Sequence, residues 1–205
     1  HPSPVPYADV VTMTTHKTLR GTSGGLILCK GYLAKAVDSG VFPQMQGKPL
    51  MHSVAGKAVA LYEAMQPSFV DYQKKVLENA RALADELQKL GLRLVSGGTD
   101  NHLVLVDLTN TGVTGSQAAK ALDVAGIVCN KNEIPFDPLP PAKASGIRLG
   151  TPGITSRGMG KEEVRAIAGL LVKLIKNIDD ENTSNQVREA IKVISQRFPV
   201  PGISD

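Results

Sequence analysis

Asp9-Val-Val-Thr-Met-Thr-Thr-His-Lys-Thr-Leu-Arg-Gly-Thr-Ser-Gly-Gly25 is the stretch on which the reading of this chain turns. Val10 and Val11 read as the end of a strand. Thr12, Thr14 and Thr15 lead to the step His16-Lys17-Thr18, and Gly21, Gly24 and Gly25 close the stretch in a flexible turn. A lysine just past a strand, among hydroxyls and glycines, suits an amine that must meet an aldehyde. Such an amine attacks only when unprotonated, so its surroundings matter as much as its place. Hydroxyls and backbone N–H groups nearby can hold a phosphate.

Outward from this stretch, composition sets the bounds. The chain has 205 residues, 42% hydrophobic and 20% charged, enough for a sizeable core in one domain or two modest ones. Aromatics make up 4% and Trp is absent, so the core must be mainly aliphatic. Lys+Arg 23 against Asp+Glu 19 gives +4, a mild excess that suits anionic small molecules and does not argue for nucleic acid. Cys29 and Cys129 lie in apolar runs and are expected to be free, buried thiols of a reducing, cytoplasmic compartment. There is no CxxC, and His1, His16, His52 and His102 lack ligand spacing, so no metal is expected. His1-Pro-Ser-Pro-Val-Pro has neither the charged region nor the apolar region of a secretory leader, and no apolar run is long enough for a membrane span.

In chain order, residues 1–8 read as a prolyl connector, which suggests that the chain is part of something longer. Gly24 to Lys30 reads as a short buried strand. Gly31 to Asp38 follows as a short helix with Leu33, Ala36 and Val37 inward. Val41 to Pro49 is a loop rich in breakers, and Leu50 to Met65 an Ala-rich helix. Pro67 opens a long helix with an apolar stripe of Phe69, Tyr72, Val76, Leu83, Leu87 and Leu90, stopped by Gly91. Arg93 to Ser96 and Leu103 to Leu108 read as strands around a tight turn. Thr114-x-x-Gln117 is a capping box for a helix to Ala125. Gly126 to Asn130 reads as another strand, Asn132 to Lys143 as a proline-rich loop, and Ser145 to Pro152 as a strand. Lys161 to Ile178 is an amphipathic helix, and Ser184 can cap a last one. The alternation changes near residue 66, which is taken as a domain boundary.

The segment Thr14-Thr15-His16-Lys17-Thr18-Leu19-Arg20-Gly21 resembles the active-site segment of the serine hydroxymethyltransferase family, and further segments match in order over about residues 1–200. The resemblance implies a pyridoxal phosphate enzyme of fold type I. The fold class is α/β: part of the large PLP-domain sheet in residues 1–66, then a smaller α/β C-terminal domain of the aspartate-aminotransferase-like fold in 67–205. It implies that Lys17 is the Schiff-base lysine, with His16 beside the cofactor and Thr14 among the catalytic hydroxyls. It implies conversion of serine to glycine with tetrahydrofolate as the one-carbon acceptor.

Further residues follow from the same resemblance. In Ser145-Gly-Ile-Arg-Leu-Gly-Thr-Pro152, Arg148 matches the arginine that binds the substrate carboxylate. An arginine at the end of a buried strand would be costly without an anion, and its planar fork fits a carboxylate bidentately. The bland reading is an ion pair with Asp107 or Glu133. Asn132, in Asn130 to Pro138, matches the amide that meets the folate pterin, to which an Asn side chain offers both donor and acceptor. Ordinary turn chemistry beside prolines is its bland reading. The loop Phe42 to Pro49 matches one that reaches the phosphate of the neighbouring subunit's cofactor, so Gly47 and Lys48 are assigned to cofactor binding and a homodimer is implied. Lys48 stands where the family has a second glycine, and Thr22 and Ser23 where it usually has Pro-Arg. Pro140-Pro141-Ala142 replaces its Ser-Pro-Phe-like stretch. The family's upstream half, expected as a partner, would bring an Asp for the pyridine nitrogen, a His stacked on the ring, and a Glu and a Tyr.

Two rivals stay open: a divergent PLP aldolase of α-methylserine or threonine type, and a catalytically incomplete fragment acting as an anion- or RNA-binding module. Gly21-Thr-Ser-Gly-Gly25 formally satisfies G-x-S-x-G, but that elbow needs a helix next, and Leu26-Ile-Leu reads as a strand.

Overall fold

The computed structural model describes residues 2–203. His1, at the head of the prolyl connector, lies outside them. The chain divides into two units, one ending at Asp71 and the other beginning at Tyr72.

In the first unit, Val5–Tyr7 forms an exposed 3-10 turn. β1 (Val10–Thr14) and β2 (Gly25–Cys29) pair antiparallel, from Val10 opposite Cys29 to Thr14 opposite Gly25. The expectation of a buried strand at Gly24 to Lys30 is corrected here: Ile27 and Leu28 are exposed. Among the described residues the ribbon has two strands. Apolar side chains in a ribbon are buried only when something covers its faces. After a 3-10 turn at Gly31–Leu33 comes α1 (Ala34–Ser39), with Leu33 and Val37 half-buried and Ala36, expected inward, exposed. The segment Gly40–Met45, kinked at an extended Phe42 before Pro43, leads to α2 (Met51–Ala64). α3 (Pro67–Lys89) starts in this unit, at the proline that suits a first helical turn.

The second unit is an α/β layer. β3 (Arg93–Leu94), β4 (Leu103–Asp107), β5 (Asn130–Asn132) and β6 (Gly146–Gly150) form one sheet in the order β3-β4-β6-β5, each neighbour antiparallel. Alternation puts Val104 and Val106 of β4, and Ile147 and Leu149 of β6, into the core. Leu83 and Leu87 of α3 meet them there, with Leu122 of α4 (Gly115–Val124). Leu171 and Leu174 of α6 (Lys161–Lys176) and Val187 of α7 (Glu181–Arg197) complete it. Each such side chain contributes roughly 1.5–3 kcal/mol of burial. Helices thus cover one face of the sheet, as is common for an antiparallel α/β layer. On α3 the expected stripe is buried at Tyr72, Val76, Leu83 and Leu87 and half-buried at its ends, Phe69 and Leu90.

Three further expectations are corrected. Gly126 to Cys129 is not a strand; pairing begins at Asn130, where the chain first comes into register with β6, opposite Arg148. The last helix is capped by Asp180, whose carboxylate accepts from the Asn182 and Thr183 N–H groups, so Ser184 lies inside its first turn. β3 stops at Leu94 because Ser96 takes a left-handed φ of 62°. A short helix, α5 (Pro152–Ser156), also follows β6 where the sequence reading had only a strand end. Among the described residues no helix is long and apolar enough to cross a membrane.

Candidate active-site elements

In the first unit the site is built on Thr15, which is 1% exposed. All three of its polar groups are used. Its N–H donates to the Gly24 carbonyl at 3.1 Å, its carbonyl accepts from the Gly21 N–H at 2.7 Å, and its hydroxyl donates to the Thr22 carbonyl at 2.7 Å. These bonds close a loop over residues 15–24, with His16 and Lys17 exposed on it. The Arg20 N–H donates to the Lys17 carbonyl at 2.9 Å, making a tight turn. Arg20 itself has a left-handed φ of 59°, an uncommon backbone for a side chain of its kind. Its guanidinium lies 3.9 Å from the Glu63 carboxylate and 5.6 Å from the Phe69 ring centroid, contacts that hold it there. The His16 imidazole accepts the Gly24 N–H on Nδ1 at 3.3 Å, which leaves Nε2 as the donor of the neutral ring. Among the described residues the Lys17 ammonium makes no hydrogen bond or ion pair. Thr14 ends β1, exposed, opposite Gly25.

α2 is the platform under this loop. Ser53, Gly56, Lys57 and Ala60 recur at helical spacing on one side of it. The Thr22 hydroxyl donates to the Ser53 carbonyl at 2.8 Å, and the Lys57 ammonium to the Gly25 carbonyl at 3.2 Å. A Cβ on Gly56 would overlap the Thr22 methyl, and one on Gly21 would come within 3.1 Å of the Ala60 Cβ. So the helix and the loop approach at backbone distance. Thr22 thus ties the loop to the helix through its own side chain. Gly47 and Lys48 lie in the exposed segment just before α2.

The second unit carries Arg148 and Asn132. Arg148 sits mid-strand in β6, opposite Leu105 on one side and Asn130 on the other. Its side chain is exposed while Ile147 and Leu149 are buried, so it stands on the open face of the sheet. That corrects the expectation of an arginine at the end of a buried strand: alternation turns it outward, and no desolvation cost compels a partner. Nor does Asp107 pair with it. Asp107 is held by Arg93 at 2.8 Å, directly opposite in β3, and by the Thr109 N–H and hydroxyl. Among the described residues the Arg148 guanidinium makes no ion pair or hydrogen bond. Asn130 and Asn132 share its face on the adjacent strand. The Asn132 amide N–H donates to the Glu133 carbonyl at 2.8 Å, leaving its oxygen as an acceptor.

The loop from β5 to β6 is fastened by Asp137. Its carboxylate accepts the N–H groups of Ile134, Leu139 and Ser145 at 3.1, 2.9 and 2.8 Å, and the Ser145 hydroxyl at 2.6 Å. Desolvation raises its pKa, but the Ser145 hydroxyl and the three backbone N–H groups outweigh it and bring the carboxyl down to about 2. Lys131 adds a second tie, donating to the Pro141 and Ala142 carbonyls at 2.8 and 2.9 Å. The two cysteines, expected buried, are each half-exposed. Desolvation, and then the charge of Asp123, push the Cys129 thiol up to about 11, so it is no nucleophile at neutral pH.

A family model described as serine hydroxymethyltransferase matches residues 1–171. The chain belongs to the serine hydroxymethyltransferase family. It is 60% identical over 204 residues to serine hydroxymethyltransferases of Dehalococcoides mccartyi strains BAV1 and CBDB1, covering 99% of this chain and 49% of each relative. The serine hydroxymethyltransferase of strain 195 is 59% identical over the same length. The chain thus spans about half the length of the curated relatives it matches, and its mixed α/β architecture is consistent with an aminotransferase-like fold.

The donor set of the Lys17 loop fits the cofactor that membership of this serine hydroxymethyltransferase family suggests. It offers a primary amine without an ion pair, an oriented imidazole and a run of hydroxyls, on a loop fixed by a buried threonine. Thr15 and Asp137 lie inside the quoted segments but were given no role there, and Lys57 was not named. The small residues Ser53, Gly56 and Ala60 at helical spacing were the available signal for α2 as a close-packed platform.

Proposed function

We propose that the full-length protein interconverts serine and glycine with tetrahydrofolate as one-carbon acceptor, using pyridoxal phosphate. This chain would be the half that brings the lysine. The observation that carries the reading is the Lys17 amine, without a salt bridge among the described residues, on a loop locked by Thr15 and next to an imidazole whose Nδ1 accepts the Gly24 N–H. When bound, the cofactor supplies the electron sink for cleavage of the serine Cα–Cβ bond. Lys17 would hold it, with Thr14 and His16 alongside and Gly47 and Lys48 toward a phosphate of the neighbouring subunit.

Arg148 would clamp the amino-acid carboxylate with its guanidinium fork, fixing how the substrate's bonds are presented. Asn132 would offer its free oxygen to a pterin edge. The exposed Ile27 and Leu28, on opposite faces of the ribbon, support its faces being covered by the upstream half. A homodimer, and residence in the cytoplasm, complete the proposal.

The test uses the full-length protein with added pyridoxal phosphate. A visible absorbance band that borohydride traps on Lys17, located by peptide mapping, supports the reading. No band, or a label on another lysine, overturns it. Arg148→Ala should weaken serine binding by about 2–5 kcal/mol, the cost of leaving a charged partner unpaired; unchanged affinity would remove Arg148 from the site.

A further inference from the structure

Lys57 lies one side chain away from the residues above, and the reaction as proposed gives it no part. Its ammonium donates to the Gly25 carbonyl at 3.2 Å. It also lies against the open side of Gly24: a Cβ built there would be 2.7 Å from Nζ and 2.9 Å from Cε. Gly24 is the residue whose N–H holds His16 Nδ1 and whose carbonyl holds the Thr15 N–H. One cation from α2 therefore packs against Gly24, whose N–H and carbonyl orient His16 and the strand end leading to Lys17, and holds the carbonyl of the next residue, Gly25. Gly24 has a φ of 146°, a backbone that side chains avoid, so an external brace is needed where the glycine is otherwise free to move.

We infer that Lys57 is a positioning residue for the lysine-bearing loop. Its bond to the Gly25 carbonyl keeps the Gly24 N–H on His16 Nδ1, and so keeps Nε2 as the protonated nitrogen that faces outward. The consequence for turnover rests on the reading of His16 and Lys17 as cofactor residues; the consequence for the loop does not.

The experiment compares full-length wild-type protein with Lys57→Met, which keeps length and loses the donor, and Lys57→Arg, which keeps a cationic donor. In 15N-labelled protein without cofactor, His16 should be largely the Nε2–H tautomer in wild type. In Lys57→Met it should become a mixture. Exchange of the Gly24 amide should rise roughly five- to tenfold, the worth of one exposed hydrogen bond. Lys57→Arg should restore both. With cofactor bound, Lys57→Met should lower kcat and leave KM for serine nearly unchanged.

Equal tautomer and exchange in wild type and Lys57→Met would overturn the inference. So would loss of turnover with the His16 ring unchanged, since Lys57 would then act otherwise than through it. If wild type shows no serine–glycine turnover, the functional reading fails, while the tautomer and exchange measurements still decide the role of Lys57.

Discussion

Thr15→Val removes one oxygen from the loop that presents Lys17. The Thr15 hydroxyl is buried and donates to the Thr22 carbonyl at 2.7 Å. Leaving that carbonyl without a partner costs about 1–3 kcal/mol, the lost bond included. The loop should therefore open more readily by about 1–3 kcal/mol in total, which is roughly five- to hundredfold in its opening equilibrium. Global unfolding is the wrong readout for a chain of two units. Native-state hydrogen exchange of the Gly21 amide, bonded to the Thr15 carbonyl at 2.7 Å, reads the loop directly. Thr15→Ser is the control: it keeps the hydroxyl and loses one methyl, about 0.8 kcal/mol. If Val and Ser variants exchange alike, the hydroxyl does not hold the loop and the account of Thr15 is wrong.

Other outcomes are equally specific. Asp137 has a carboxyl held at about 2, below the ~3.9 of an unfolded chain. Its contribution is present above pH ~4 and is lost as pH falls through about 2; exchange of the Ser145 amide should rise over that window in wild type and stay flat there in Asp137→Asn. Gly146→Ala should destabilise the second unit by about 1–3 kcal/mol or more, since its Cβ would lie 2.6 Å from the Val106 carbonyl and 3.0 Å from that of Asn132; a shift in denaturation midpoint would show it. Arg93→Met leaves Asp107 with its Thr109 bonds, and because Arg93 is largely exposed the loss should stay near 1 kcal/mol; a loss several times larger would mean the pair is a core element.

Local chemistry was legible in the sequence and long-range geometry was not. Thr114-x-x-Gln117 announces α4, and both bonds of the box are present, the Gln117 N–H on the Thr114 hydroxyl and the Thr114 N–H on the Gln117 side chain. The stripe on α3 and the stop at Gly91 depend on helical period and one turn residue, and both are local. The polar Asn130–Asn132 strand carries no apolar pattern; it is a strand because β6 lies beside it in register. The preceding Ile127-Val-Cys129 has the pattern and lacks the partner. Asp180 and Ser184 are both good caps, and only the start of α7 tells which is used. Lys17, His16 and Arg148 were singled out as candidates through the motifs around them. The parts that hold Lys17 and His16 in place are a buried threonine and a helix face more than thirty residues away, as in Thr22 to Ser53 with a sequence separation of 31. Nothing in the local pattern could connect them.

The two sets of candidate residues are fixed by different physics. The Lys17 loop is held by hydrogen bonds to backbone groups, so it can loosen one bond at a time, and its fine geometry is open to adjustment by a residue such as Lys57. Arg148 is fixed by register. β6 buries Ile147 and Leu149 and exposes Arg148 between them. A slip of one residue would turn Ile147 and Leu149 outward and drive the guanidinium into the apolar core. Burying an unpaired charge costs several kcal/mol, on top of the lost burial of two aliphatic side chains. The same apolar alternation that builds the core of the second unit therefore also holds Arg148 on the open face, next to Asn130 and Asn132. An arginine placed this way needs no ion pair of its own to hold it in place.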